Sequence, residues 1–309
     1  MKSIVIYFSQ AGSTKKIAQA IHAGISKVGV QCDIKPLKEV DPRTLGSYDL
    51  IGIGSPILNL KEPPNVGQFI AAMRGVDGKH AFAFSTHGLL PSGYLASVVP
   101  ALTQRGLTVI GWNDWFGTVV YPATPKPYFT DGHPDAIDLK EAEDFGSQMA
   151  DRSRRVFQGE TELIPAFPRG KDYDEMDFPL PFPVDDVKEI DKFFALTRLR
   201  VNTEKCNHPK CNLCVRECPM GAIYMSEAPN AMGRNCIQCF NCALRCPQHA
   251  IEYDWAGFQR LHDPLLISWL MKTMDILEAR GRLRRLVSDD QIGWETPTWK
   301  SKELPGFSS

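Results

Sequence analysis

The sequence lacks an excess of charge of either sign, with 35 lysines and arginines against 36 aspartates and glutamates in 309 residues. A nucleic-acid-binding domain would need a basic surface, so we expect no nucleic-acid partner. The sequence also lacks a long apolar run, because the largely apolar residues 265–271 are too few to cross a bilayer. Its first residues, MKSIVIYFSQ, lack the charged leader and cleavage site of a signal peptide. We therefore expect a soluble, cytoplasmic protein without a membrane span, long enough for two domains.

Cysteine is almost missing outside one short stretch. Eight of the nine cysteines lie between residues 206 and 246, and Cys32 stands alone in a predicted strand. We expect Cys32 to be a buried small hydrophobe. A secreted disulfide scaffold would distribute its cysteines through a small chain, so the clustering favours ligation of a metal or cluster.

The downstream part of this stretch reads CIQCFNCALRCP, a C-x2-C-x2-C-x3-C-P spacing, and CNHPKCNLCVRECP upstream repeats the pattern. Two-residue gaps let three thiolates reach three irons of one cubane, while the wider gap turns the fourth thiolate away. The region resembles the bacterial-type two-[4Fe-4S] ferredoxin module, a small α+β domain. The resemblance implies two crossed ligand sets, of which one is Cys206, Cys211, Cys214 and Cys246 and the other is Cys218, Cys236, Cys239 and Cys242.

Alternatives remain open for these thiols. Zinc also suits four thiolates, although zinc sites usually show two separated CxxC pairs. The upstream element departs from the bacterial spacing, because its first gap holds four residues and includes His208. Cys206 is the expected fourth ligand. Otherwise that cluster would have three irons or be labile, or His208 would ligate it as imidazole does in Rieske centres.

The first 160 residues alternate between strand and helix patterns. Continuous β-branched and aromatic runs predict buried strands, and apolar residues at helical spacing predict the helices between them. Strands are predicted at 3–8, 31–37, 49–54, 80–85 and 107–112, and helices at 14–28, 63–74, 91–105 and 137–157. This order indicates right-handed crossovers and a doubly wound, five-stranded parallel sheet, which is an α/β fold.

Three loops follow predicted strands and carry the residues of a candidate binding site. SQAGST, residues 9–14, offers hydroxyls, a glycine and free backbone N–H groups at a helix N-terminus, which suit a phosphate. Alternatively, Ser13 or Thr14 simply caps the helix. The segment is neither a P-loop nor a G-x-G-x-x-G motif. GSPILNL after the third strand and FSTHGLLPSGY after the fourth mix small, hydroxyl and apolar residues that can sandwich a flat ring.

These segments together resemble the flavodoxin family over residues 1–158, most specifically in IVIYFSQAGSTKKIA. The resemblance implies the sheet order 2-1-3-4-5 and an FMN bound at the carboxyl ends of the strands. The implied FMN-binding residues are Ser9, Gln10, Ala11, Gly12, Ser13, Thr14, Ser55, Pro56, Ile57, Leu58, Asn59, Leu60, Ser85, Thr86, His87 and Gly88. Neither ring loop has a Trp or Tyr in the expected stacking place, so either Tyr94, Trp115 or a residue of the other domain covers the ring, or the ring is open. His87 could bond the flavin or a substrate, or be a solvated loop histidine.

The chain is thus predicted to have four parts. These are a flavodoxin-like domain at 1–160, a proline- and acid-rich linker or strap at 161–199, a ferredoxin-like domain at 200–256, and a helical extension with a tail at 257–309. The helix within 265–286 could close the protein's own core or form a contact with a partner or in a homodimer.

The combination predicts an electron-transfer iron–sulfur flavoprotein with one FMN and two [4Fe-4S] clusters, working between a redox protein donor and an acceptor. The alternative is an FMN-dependent reductase of a small-molecule substrate, fed by the clusters. Because the sequence shows no nicotinamide-binding domain, direct oxidation of NADH is not expected.

Overall fold

The computed structural model describes residues 1–58, 61–89, 93–120, 126–167, 199–225, 232–252 and 264–293, and for 264–270 only the backbone. Within these ranges, residues 1–118 and 130–167 form one compact unit. Residues 119–120 and 126–129, together with those from 199 onward, form a second. Most of the predicted linker, 161–199, and the end of the chain from 294 lie outside the described residues.

The first unit is a parallel five-stranded sheet with helices on both faces, in the predicted order 2-1-3-4-5. The predicted α/β fold is thereby confirmed. Its elements are β1 (Lys2–Tyr7), α1 (Ser13–Lys27), β2 (Gln31–Pro36), β3 (Leu50–Pro56), α2 (Pro64–Ala72), β4 (His80–His87), α3 (Tyr94–Gln104), β5 (Thr108–Phe116) and α4 (Ala136–Phe157).

Burial explains why the three central strands read as continuous apolar runs. The sheet separates two apolar clusters, so side chains that point to either face are covered. On β4, for example, Ala83 belongs to one cluster and Phe84 to the other. On the face that contains Phe84, the helices α1 and α4 lie close together. A Cβ at Gly24 would lie only 1.8 Å from the carbonyl oxygen of Glu143. This packing fixes the helix that begins at the predicted phosphate loop.

The fifth strand is longer than its sequence indicated. The polar pair Asn113–Asp114 ends the apolar run, so the pattern predicted a strand that stops at residue 112. In the structure β5 continues to Phe116, because the backbone of 113–116 pairs with residues 84–87 of β4. The extension brings Asp114 to the carboxyl edge of the sheet.

The second unit has short elements around the cysteines: β6 (Arg200–Val201), α5 (Leu213–Glu217), α6 (Asn241–Arg245) and β7 (Ile251–Glu252), with β6 and β7 antiparallel. The two cysteine halves repeat one another in structure. The amide of Ala222 donates to Sγ of Cys218 at 3.2 Å, and the amide of Ala250 donates to Sγ of Cys246 at 3.3 Å.

A longer helix, α7 (Pro264–Ala279), follows in the same unit. Among its described side chains, Thr273, Met274 and Leu277 are buried. Ile276 is exposed. Among the described residues, no helix is long and apolar enough to cross a membrane.

Candidate functional site

The loop after β1 leaves the start of α1 open. Gly12 precedes the helix with φ 95° and ψ −18°, a left-handed conformation that glycine adopts at little cost, and no side chain caps the helix there. Ser9 Oγ accepts the Gly12 amide at 3.1 Å, and this bond closes the loop. The first helical N–H groups are therefore not consumed by a side-chain cap.

Ser13 and Thr14 are buried and bond to other segments of the first unit. Ser13 Oγ accepts the Thr118 amide at 3.2 Å, and Thr14 Oγ1 lies 2.7 Å from Thr86 Oγ1 on β4. The alternative that either residue merely caps α1 is not what the structure shows. The first turn has no acidic residue and carries the exposed Lys15 and Lys16. An uncapped N-terminus flanked by cations fits a phosphate group.

The loop after β3 is joined to the end of β4. The Ile57 amide donates to the Thr86 carbonyl at 3.1 Å. Leu58 and Lys61 exchange two backbone hydrogen bonds, of 3.0 and 3.1 Å. Ser55 is buried, and its hydroxyl donates to the Pro56 carbonyl at 2.9 Å. Asn59 and Leu60, which the resemblance places in the same loop, lie outside the described residues.

At the end of β4, Ser85, Thr86 and His87 are all buried, and Gly88 follows half-buried. His87 is not a solvated loop residue. Its Nε2 lies 2.8 Å from Oδ2 of Asp114, and its ring meets Phe116 edge-on at 4.7 Å. The sequence reasoning missed Asp114, although a polar pair inside the run WNDWF was a signal.

Within the described ranges, two buried polar atoms at this strand end have no hydrogen-bond partner, Ser85 Oγ and His87 Nδ1. An acceptor or donor left without a partner costs about 1–3 kcal/mol, and native proteins tolerate such atoms mainly where a ligand or water completes them. Together with the open helix N-terminus, these atoms fit a nucleotide at the carboxyl edge of the sheet.

The aromatic residues considered as ring covers belong to the core instead. Tyr94 is fully buried, and Trp115 is 3% exposed and packs edge-on against Phe145 at 5.7 Å. Burial raises the pKa of Tyr94 far above its ordinary value. Neither ring is available to cover a ligand.

In the second unit the structure brings the eight clustered cysteines into two groups. Burial raises the pKa of the Cys214 thiol, and the nearby thiols of Cys246, Cys206 and Cys211 raise it further. These three thiols and that of Cys214 form the first group. Cys206 belongs to it, whereas His208 is exposed.

The second group forms around Cys242, which is 7% exposed. Burial raises the pKa of its thiol well above the ordinary value, and Cys239, Cys236 and Cys218 add to that effect. The four thiols of this group line one hollow. The other walls include Leu199, Ile223, Met232 and Phe240. Both groups take one cysteine from the other sequence element, as a crossed pair requires.

Cys32 lies apart from these groups. It is half-buried on β2, and burial together with the charge of Asp33 raises the pKa of its thiol to about 11. The thiol donates weakly to the Asp33 carbonyl at 3.5 Å. A thiol of this kind is a packing residue rather than a reactive one.

One further group of potential ligands was not anticipated. His133, Asp135 and Asp138 place ligand atoms within 4.8 Å of one another at the start of α4. Their hydrogen bonds already explain the arrangement. Asp138 accepts from Nδ1 of His133 at 2.5 Å and from the Asp135 amide at 2.7 Å, and Asp135 and Asp138 form a capping box.

Comparisons with known proteins agree with the geometry of the first unit. Residues 4–99 match the family model described as a flavodoxin domain. An uncharacterised protein of Methanocaldococcus jannaschii is 29% identical over 154 residues, covering 48% of this chain and 98% of its own length. A flavodoxin of Clostridium saccharobutylicum is 25% identical over 166 residues, covering 51% and 100%.

Among solved structures, the flavodoxin of Megasphaera elsdenii is 21% identical with a TM-score of 0.39, and covers 49% of this chain and 99% of its own. The flavodiiron protein of Giardia intestinalis is 20% identical with a TM-score of 0.41, covering 53% and 38%. The family model lies within the sheet and loops described above. Residues 4–99 of the first unit are therefore similar to a flavodoxin domain.

Proposed function

We propose that the protein is an electron-transfer iron–sulfur flavoprotein, with FMN in the first unit and two [4Fe-4S] clusters in the second. It passes electrons between a redox protein donor and a redox protein acceptor. When bound, FMN can accept two electrons and release them singly, and each cluster carries one.

The grouping of the thiols carries this proposal. A pair of independent zinc sites built from consecutive CxxC pairs would group each sequence element with itself. Here Cys246 joins the upstream cysteines and Cys218 joins the downstream ones. That exchange is the pattern of two-cluster ferredoxins, in which the last cysteine of each run ligates the other cluster.

The chain's own residues would hold the FMN at the carboxyl edge of the sheet. The open N-terminus of α1, with Ser9 and Gly12 shaping the loop, suits the phosphate. The loop at Ser55–Leu58 and the strand end at Ser85–Gly88 suit the ring, and the bond from the Ile57 amide to Thr86 holds these two segments together.

Anaerobic purification with iron, sulfide, zinc and flavin analysis tests the proposal. We expect about eight irons and eight sulfides per chain, which two cubanes require, and about one FMN. Reduction should produce the electron paramagnetic resonance of reduced [4Fe-4S] clusters. A colourless protein that contains zinc and no inorganic sulfide would overturn the proposal.

A second candidate, reduction of a small molecule at the flavin, is favoured by one observation. His87, buried and bonded to Asp114, is a group of the kind that exchanges protons in catalysis. Photoreduced protein mixed with small oxidants such as quinones distinguishes the two functions. Rapid reoxidation by one small molecule would favour the reductase, whereas reoxidation only by an oxidised ferredoxin-type protein would favour the carrier.

A further inference from the structure

The structure pairs His87, at the carboxyl end of β4, with Asp114 of β5. Nε2 of His87 lies 2.8 Å from Oδ2 of Asp114, and their side chains are 3% and 20% exposed. An ionised carboxylate only accepts hydrogen bonds, so it requires the proton of the imidazole to sit on Nε2. In the neutral ring, Nδ1 then has a lone pair and no proton.

That Nδ1 is buried and has no hydrogen-bond partner among the residues that the structure describes. The other buried histidine of the same strand differs in this respect, because Nδ1 of His80 lies 2.9 Å from the Ser153 hydroxyl. A buried acceptor without a partner costs about 1–3 kcal/mol of stability. A ligand that supplies the missing hydrogen-bond donor would remove this cost.

The neighbours of His87 indicate which ligand this is. The hydroxyl of the preceding residue, Thr86, contacts that of Thr14 in the proposed phosphate loop. The Thr86 carbonyl accepts a hydrogen bond from the Ile57 amide in the proposed ring loop. Gly88 follows as another proposed ring residue. His87 thus belongs to one of the two segments that would hold the isoalloxazine, at the edge of the sheet where such folds bind ligands.

We propose that His87 Nδ1 accepts a hydrogen bond from bound FMN, and that Asp114 is the positioning residue that fixes the required tautomer. The inference rests on the proposed binding of FMN. Two-electron reduction creates a new N–H donor on the flavin ring. Its electrons come from the donor protein and its proton from solvent. An acceptor at Nδ1 therefore binds the reduced ring more tightly than the oxidised ring and raises the flavin potential.

Two substitutions separate the nitrogens of the ring. In His87→Gln, the amide nitrogen can replace Nε2 and donate to Asp114, while nothing replaces Nδ1. Asp114→Asn removes the charge that fixes the tautomer and leaves His87 in place. His80→Gln is the matched control, because it changes a buried histidine at the opposite end of β4.

Nitrogen-15 NMR of the flavin-free full-length protein tests the tautomer without any redox measurement. We expect the Nε2–H form at His87 in the wild type and a mixture of tautomers in Asp114→Asn. A wild-type protein whose His87 carries its proton on Nδ1 overturns the proposal.

The flavin potential tests the acceptor. In His87→Gln, we expect the affinity for reduced FMN relative to oxidised FMN to fall about tenfold, which is about 30 mV for a two-electron couple. Asp114→Asn should shift the potential in the same direction and by less, and His80→Gln should leave it unchanged. Equal potentials in His87→Gln and His80→Gln would overturn the inference.

Binding of FMN to the wild type is measured first, by quenching of flavin fluorescence. It distinguishes failure of the proposed function from failure of this inference alone. If no FMN binds, the proposed function fails and this inference fails with it. If FMN binds and His87→Gln leaves its potential unchanged, only the inference fails.

Discussion

The buried side chains of the first unit are mainly aliphatic and aromatic residues from a five-stranded sheet and four helices. In the cysteine region of the second unit, the buried cluster is much smaller. It contains Leu199, Val201, Ile223, Phe240, Cys242 and Ile251. Four further cysteines and four apolar residues pack against it: Cys206, Cys214, Cys218, Cys246, Val215, Met225, Met232 and Ala243. The comparison teaches that the sheet domain can stabilise itself by apolar burial, whereas the cysteine region buries little apolar surface, which is consistent with the proposed ligation of clusters.

The thiols of the two units also differ in whether they are buried among other thiols. Cys242 is buried among other thiols, an arrangement that raises its pKa and has no evident benefit without a bound group. In the proposed cluster, each thiol loses its proton and its sulfur bonds to iron. The free energy of that ligation then contributes to the free energy of folding. Cys32 packs on a strand and needs no such group.

The largest expected effect comes from removing a ligand. Cys242→Ala should cost about four of eight irons and unfold much of residues 199–252, because ligation supplies the stability of that region. Iron analysis and amide hydrogen exchange measure both effects. Cys32→Ala is the matched control and should keep full iron content. Unchanged iron in Cys242→Ala would contradict the grouping of the thiols.

The next effect concerns the apolar core of the first unit. Phe82 is fully buried and packs against Phe84 and Phe145. Phe82→Ala should lower the free energy of unfolding of the sheet domain by about 3–5 kcal/mol. Urea denaturation followed by far-ultraviolet circular dichroism measures this loss. The visible absorbance of the proposed iron–sulfur clusters in the native protein should stay unchanged. A loss of that absorbance would contradict the separate stabilisation of the two units.

A smaller effect should arise at the two ends of α1. Gly12 and Gly29 have φ of 95° and 75°, and a Cβ at either position would meet no atom within 4 Å. Alanine at either residue should therefore cost about 1–2 kcal/mol of backbone strain. Only Gly12→Ala should also weaken FMN binding, by about tenfold if the full strain falls on the bound loop. Fluorescence titration with FMN measures this, and equal affinities in the two variants would remove the loop from the binding site.

The smallest effect should appear at alkaline pH. The pKa of Cys32 is raised to about 11, so above its ordinary value near 9 the unfolded chain loses the proton and the folded protein keeps it. This thiol's stabilisation is complete below pH 9 and is lost as the pH rises towards 11. Relative to the wild type, Cys32→Val should gain about 1 kcal/mol of stability between pH 8 and pH 10. Urea denaturation at both pH values measures the difference, and an identical pH dependence in both proteins would exclude a titrating Cys32.

Much of the fold could be predicted because its signals are local. The strands of the sheet are buried on both faces, so their sequences are apolar throughout, and each helix carries its own apolar periodicity. The end of β5 could not be predicted, since Asn113 and Asp114 continue the strand only because β4 lies beside them. Trp115 illustrates the same limit. Its sequence position allowed it to cover a ring, and the register of β5 directs it into the core.

By itself, the sequence determined the alternation of strands and helices, the loop that opens α1, and the cysteine spacing. These features are encoded within a few neighbouring residues, so no distant contact is needed to recognise them. Only the tertiary structure decided that Thr14 meets Thr86 and that His87 meets Asp114. Those contacts join residues 72 and 27 positions apart, and the pairing of parallel strands, rather than any local pattern, brings them to one edge of the sheet.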